Sequence, residues 1–373
     1  MGKTRVLFIL STMDIGGVQS GVMNFVKLVP RETCHIDVFI ISKKIGFHEK
    51  EFSNYGKIYH CPLLMCKTKL LMPITILLNN VLLKRKLYSF LKIHKYEVVH
   101  SKLLTYSAAV AEAAERANVR IRVVQSHVDK PDSLNPFHKW YYKWCADRIE
   151  RSATCKLAVS PKAADLMFGK YGGKVIKNPT ISLSRLDPLK YHYLSDINVI
   201  KLIQVGTFSH RKNQVFSMHI VKELNRLGYR VCLTFIGYTF DDPDYINEMK
   251  RCEKDLKLEK DIRYLPKDSD IPYELSQSDY MLIPSLREGL PNVALEAQAM
   301  GVPCFISDTV NQETDCGLCS FLSLEDGPLS WADSIVKYRE KYGIEKRYID
   351  MTEWDNTNVI KQYLKIWEVE GYR

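Results

Sequence analysis

Short runs rich in Val, Ile and Leu alternate with helix-period segments along nearly the whole chain. In the first half, strands are expected at Arg5–Leu10, His35–Ile41, Lys57–His60, Val98–Ser101, Ile121–Ser126 and Cys155–Val159. Helical patterns fall between them, at Val18–Val29, Tyr106–Ala117 and His138–Ile149. The order restarts near residue 200, with strands at Ile200–Val205, Arg230–Ile236, Ile262–Leu265, Tyr280–Ile283 and Cys304–Ile306. Helices again intervene, notably Gln214–Leu227, Glu248–Leu256 and Asn292–Met300. This alternation builds parallel sheets with helices on both faces. The strands are too many for one small sheet, and 373 residues suffice for two ordinary domains. A polar stretch, 177–198, containing Asn178-Pro179 and Asp187-Pro188, reads as the connection between them. The expected fold class is α/β: two Rossmann-like doubly wound domains facing a central cleft, the first over 1–178. In such sheets ligands sit at the carboxyl ends of the strands.

Composition narrows the function classes. Apolar residues make up 46% and charged residues 26%, as in a globular protein, which excludes a disordered chain, a collagen-like fibre and a disulfide-stapled miniprotein. The apolar run Val6–Leu10 is too short for a secretory signal, and Leu70–Leu83, broken by Pro73, Asn79 and Asn80, falls short of a membrane span. The ten cysteines are scattered and read as reduced thiols of a cytoplasmic protein. Cys316 and Cys319 form an isolated C-x-x-C with no second pair, so no zinc site is expected. The net charge of +10 is uneven: residues 1–180 hold 29 Lys/Arg against 13 Asp/Glu, a net +16, and the remainder is net −6. The first half is therefore expected to meet an anionic partner.

The most informative segment runs from Pro284 to Pro303, PSLREGLPNVALEAQAMGVP. A strand enters a turn holding Glu288 and Gly289. Pro291 suits the first position of a helix, which ends near Gly301. Backbone N–H groups around Leu290, Asn292 and Val293 at that helix start would attract a diphosphate. Glu288 in the turn and Glu296 within the helix can accept hydrogen bonds from hydroxyls on different parts of one ligand. Read blandly, they are a loop charge and an ordinary helix charge.

The pattern E-G-L-P-N-V-A-L-E, preceded by P-S-L and followed by A-x-A-x-G-x-P, resembles the signature of glycosyltransferase family 4, whose members are retaining sugar-nucleotide transferases of the GT-B fold. The resemblance extends over nearly the whole chain and is weakest between residues 45 and 95. It implies that Glu288 holds hydroxyls of the donor sugar and Glu296 the nucleotide ribose. It further implies a nucleotide-sugar domain at 179–352, and a terminal segment, 353–373, whose helix packs back on the first domain.

Other candidates follow strand ends. Ile200–Val205 runs into Gly206-Thr-Phe-Ser-His-Arg-Lys-Asn213. Gly206 permits a sharp turn beside a ligand, and Arg211 and Lys212 suit a leaving diphosphate. The loop is similar to the family's G-R-x-x-x-x-K: Lys212 matches, and Thr207 stands where the family has Arg. Arg211 is a candidate to supply that charge. Gly16 and Gly17, after the first strand, resemble the family's G-G loop at the donor phosphates and acceptor. His127, ending the strand Ile121–Ser126, matches the family's strand-end histidine at the donor sugar, and Asp129 is a weaker acceptor contact. Asn178 resembles the family's N-G interdomain motif, with Pro179 for the usual Gly. Asp242-Pro243-Asp244 could pass for a metal-binding D-x-D, but such clusters are ordinary loop chemistry, and no essential metal or cofactor is expected. Between 67 and 95, Leu-rich runs combine with Lys67, Lys69, Lys84, Arg85, Lys86, Lys92 and Lys95. Two readings stay open there: an interfacial segment on anionic lipid, or a core-packed helix with a solvated basic end.

The resemblance implies a retaining hexosyl- or N-acetylhexosaminyltransferase that uses a nucleotide diphosphate sugar, most simply a UDP-sugar. The acceptor would be a hydroxyl of a glycan or lipid-linked glycan in bacterial surface polysaccharide synthesis. Catalysis would rest on His127, Lys212 and Glu288, and the enzyme would be cytoplasmic and peripheral to the membrane. Two rivals belong to other classes: a sugar-nucleotide epimerase of the same shape, and a non-catalytic binder of anionic polymer. No aromatic array or motif for nucleic acid accompanies the basic half.

Overall fold

The computed structural model describes every residue except 1–2, 15–16, 65–70, 129–135, 180, 192–195, 239–241, 289, 370 and 372–373. The chain divides into two compact units, one of Met1–Thr180 with Glu353–Arg373, the other of Ile181–Thr352. Within the first unit the Asn24 amide donates to the Pro179 carbonyl at 3.0 Å.

In the first unit the elements run β1 (Thr4–Leu10), α1 (Gly17–Leu28), β2 (Cys34–Ile40), α2 (Glu49–Phe52), β3 (Ile58–His60), α3 (Met72–His94), β4 (Val98–Ser101), α4 (Ser107–Arg116), β5 (Ile121–Ser126), α5 (Pro136–Ser152), β6 (Cys155–Ala158), α6 (Pro161–Phe168) and β7 (Lys174–Val175). All strand pairs are parallel, in the order β3-β2-β1-β4-β5-β6-β7. Alternate residues of a strand face opposite sides. Accordingly, Val6, Phe8 and Leu10 of β1 enter one core, with Val22 and Phe25 of α1, while Leu7 and Ile9 enter the other, with Leu83, Leu87 and Leu91 of α3. Burial on both faces explains why β1 reads as an unbroken apolar run.

The second unit repeats the plan. Its elements are β8 (Val199–Val205), α7 (Gln214–Arg226), β9 (Arg230–Tyr238), α8 (Pro243–Leu256), β10 (Ile262–Pro266), α9 (Ile271–Ser276), β11 (Tyr280–Ile283), α10 (Asn292–Ala299), β12 (Cys304–Ser307), β13 (Cys319–Leu322) and α11 (Gly327–Tyr342). Its strands, also parallel, are ordered β10-β9-β8-β11-β12-β13. The Asp242 carboxylate accepts from Tyr245 N–H and caps α8, a local structural use for that acidic cluster.

The chain then returns to the first unit as α12 (Asn356–Ile366). Val359, Ile360, Tyr363, Leu364 and Trp367 fill the core beside α1. Trp367 is fully buried, with its ring 5.5 Å from that of Phe8 and 4.9 Å from that of Phe25.

In both sheets the strand order reverses beside the first strand of the unit, between β1 and β4 and between β8 and β11. Doubly wound sheets open a ligand crevice at the carboxyl ends of such strands.

Candidate active site

In the second unit, the loops after β8 and β11 converge at the reversal point. Gly206 leaves β8 with φ +150°, a conformation side chains rarely take. Its N–H donates to Ile236 O at 2.9 Å, and a Cβ on it would meet Lys212 Cε at 3.2 Å. The bare glycine therefore lets Lys212 lie across the strand end. The loop is fastened by Gln204, whose amide donates to Lys212 O at 2.7 Å, while Ser217 Oγ donates to Gln204 Oε1 at 2.7 Å. Leu286 N–H donates to Arg211 O at 2.9 Å, tying this loop to the one after β11. Lys212 Nζ then reaches Glu288 Oε2 at 2.7 Å, with the two side chains 13% and 14% exposed. Two residues 76 positions apart thus form one charged centre.

Pro291 stands at the N-cap of α10, one position before the helical place expected from the sequence, with φ −73° and ψ 110°. That extended backbone lets the turn carrying Glu288 pass directly into a helix beginning at Asn292. Leu290, Asn292 and Val293 sit at this helix start, half-buried. Burial raises the Glu296 carboxyl above its ordinary value, opposed by the charge of Arg185. Thr207 and Arg211 are exposed. Gly289 lies outside the described residues.

In the first unit, α1 begins at Gly17 directly after the β1 loop, while Gly16 and Asp129 lie outside the described residues. His127 follows β5, as its place in the sequence requires. Its Nε2 lies 3.2 Å from Lys102 Nζ and its Nδ1 lies 3.4 Å from the Asn178 amide. Lys102 also donates to Gln125 Oε1 at 2.5 Å, and Gln125 donates to Tyr363 OH at 2.6 Å. Burial, then the Lys102 charge and His100, push the His127 pKa well below the usual histidine value. The ring is therefore neutral at neutral pH, able to donate from one nitrogen and accept at the other. Lys102 and Gln125 are absent from the sequence-derived candidates. The only available signal is a charged residue directly after the β4 strand.

Comparison with known proteins decides the class of chemistry. Residues 16–178 match the family described as "Glycosyl transferase 4-like domain", and residues 193–314 match "Glycosyl transferases group 1". The chain belongs to the GT-B glycosyltransferases. This glycosyltransferase is 27% identical over 341 residues to the capsular polysaccharide biosynthesis glycosyltransferase CapH of Staphylococcus aureus, covering 89% of this chain and 90% of that one. It is 25% identical over 335 residues to the UDP-Gal:alpha-D-GlcNAc-diphosphoundecaprenol alpha-1,3-galactosyltransferase of Escherichia coli, covering 82% and 80%. Its fold is similar to that of HepE from Anabaena in complex with UDP, with TM-score 0.68, 15% identity, and 98% and 99% of the two chains covered. The enzyme is thus a sugar transferase similar to proteins of bacterial polysaccharide synthesis.

Proposed function

We propose that this glycosyltransferase moves a sugar from a UDP-sugar to a hydroxyl of a lipid-linked glycan during bacterial surface polysaccharide synthesis, with retention of anomeric configuration. The observation that carries the donor assignment is the Lys212–Glu288 pair at the strand-order reversal, beside the start of α10. Lys212 supplies a cation for the diphosphate, assisted by the N–H groups and dipole of the helix start. Glu288 accepts from sugar hydroxyls, and Glu296, one turn into α10, from the ribose. HepE, whose structure was determined with UDP, supports the choice of base. The galactosyltransferase relative, named for a diphosphoundecaprenol-linked acceptor, supports the acceptor class.

In the proposed reaction the acceptor oxygen forms a bond to the anomeric carbon as the bond from that carbon to the diphosphate oxygen breaks. The departing diphosphate carries the electron pair and receives the acceptor proton. His127 orients the donor sugar as a neutral hydrogen-bonding group. A thermal-shift panel of nucleotide sugars, followed by product analysis with the hit, tests this reading. Stabilisation by UDP-sugars is expected. Stabilisation by none of the panel would overturn it.

A lipid-linked acceptor calls for contact with a membrane, and α3 offers the surface. Its buried face, Asn79, Asn80, Leu83, Leu87 and Leu91, packs inward. Lys84 and Arg148 converge on Glu112 of α4, at 2.8 and 2.6 Å, and hold α3 in that orientation. The opposite face leaves Leu71, Ile74, Leu78 and Val81 exposed at helical spacing, followed by exposed Arg85, Lys86 and Lys92. An apolar stripe continued by cations fits an anionic bilayer interface. Among the described residues no helix is long and apolar enough to cross a membrane. Binding to vesicles containing anionic lipid should weaken with salt and be lost in an Ile74→Asp/Leu78→Asp variant. Equal binding by the variant would remove α3 from the account.

A further inference from the structure

At the carboxyl end of β4, where the first unit's strand order reverses, lies a cation that the donor site does not use. Lys102 N–H donates to Ile9 O at 3.0 Å, which fixes the residue between β1 and β4. Its side chain lies 5.7 Å from the Phe8 ring and 5.6 Å from that of Tyr363, and is partly exposed. An ammonium has three N–H donors. Here one goes to Gln125 Oε1 and one to His127 Nε2, and among the described residues the third has no partner. The groups around it are His100 on β4, His127 after β5, Gln125 on β5, Asn178, and Tyr363 on α12. No carboxylate pairs with it among the described residues. Ser126 Oγ, a buried hydroxyl able to donate, has no hydrogen-bond partner among the described residues. A cation without a carboxylate partner among the described residues, at the carboxyl end of a strand beside the sheet's reversal point, suits an anionic ligand.

We propose that Lys102 binds a phosphate group of the acceptor, which makes the diphosphate of a lipid-linked glycan a recognised element and not merely a tether. The proposal rests on the acceptor class named under the proposed function and adds the residue that reads it. Burial lowers the Lys102 pKa to about 7. An anion beside it restores the charged form, so ligand binding takes up a proton above that pH.

The test uses the full-length enzyme saturated with UDP and two probes. One is a diphosphate diester bearing a sugar and a short alkyl chain; the other is the matching neutral alkyl glycoside. Calorimetric titration from pH 6 to 9 should show diester affinity falling about tenfold per pH unit above about 7, with glycoside affinity flat. Lys102→Arg, which keeps its charge, should bind the diester without this pH dependence. Lys102→Met should bind diester and glycoside alike. Thermal unfolding and unchanged UDP affinity establish that the variants are folded and the donor site intact. Diester binding that is independent of pH and undiminished in Lys102→Met overturns the proposal. So does failure of the UDP-bound wild type to bind the diester at all. Failure to bind UDP would instead count against the donor assignment.

Discussion

Replacing Glu288 by Gln separates the two jobs assigned to the charged centre. The ammonium of Lys212 and the carboxylate of Glu288 are 2.7 Å apart and mostly buried. At an effective dielectric of ~20, unit charges at that distance attract by roughly 6 kcal/mol. Desolvation offsets most of this, and coupling energies for such pairs fall at about 1–3 kcal/mol. Glutamine keeps the shape and removes the charge, so stability should fall by about that amount. UDP binding should move the other way. A diphosphate no longer competes with a carboxylate for Lys212, and about 1–3 kcal/mol corresponds to roughly 5- to 150-fold tighter binding. The single amide oxygen of glutamine accepts from sugar hydroxyls more weakly than a carboxylate, so the affinity advantage of a UDP-sugar over UDP should shrink. Calorimetric titration with UDP and with the UDP-sugar found by the thermal-shift panel measures both. Lys212→Met should weaken both ligands. If Glu288→Gln weakened UDP in parallel with Lys212→Met, the competition argument would fail, and Glu288 would be a support for the lysine rather than a sugar contact.

Three further outcomes are expected. Gly206→Ala places a Cβ 3.2 Å from Lys212 Cε on backbone at φ +150°; a loss of about 1–3 kcal/mol in calorimetry and weaker UDP binding should follow, and an unaltered protein would refute the role of the glycine. His100 and His127 are both held well below the usual histidine pKa, first by burial. Below about pH 6.5 the unfolded chain therefore binds more protons than the folded one, and stability falls with pH by up to about 1.4 kcal/mol per unit for each. Lys102, lowered to about 7, acts with the same sign between its folded and unfolded values. Urea unfolding at pH 7.5 and 5.5 should show a loss in the wild type that His100→Gln reduces. Finally, Trp367→Ala should cost the first unit about 3–5 kcal/mol by opening a cavity against Phe8 and Phe25, and thermal unfolding would reveal it.

Much of the fold is legible because most strands are compact apolar runs. β4, β5 and β11 coincide with the sequence reading, and β1 differs by one residue. Two strands escape it for physical reasons. β7 is only the exposed pair Lys174–Val175, and β13, Cys319–Leu322, is a half-buried edge strand that begins at the last cysteine of the C-x-x-C segment. Of the two readings of 67–95, the core-packed helix is seen in Leu83, Leu87 and Leu91 of α3, which pack inward, while the exposed Ile74, Leu78 and Val81 are the basis on which the interfacial reading is proposed. In the site, Glu288 and Lys212 are legible as motif residues, but their pairing is not, since it depends on β8 and β11 being neighbours. Lys102 carries no motif. Only the parallel register that sets His100 beside Val123, and hence Lys102 near Gln125 and His127, reveals it.

The central claim is sugar transfer from a nucleotide diphosphate to a separate acceptor. It is tested most directly by following one reaction containing the stabilising UDP-sugar and a sugar-bearing lipid diphosphate acceptor. Mass spectrometry should show one UDP released for each sugar gained by the acceptor, and proton NMR of the product should show the anomeric configuration of the donor retained. Turnover or isomerisation of the donor with no mass gained by the acceptor would contradict it.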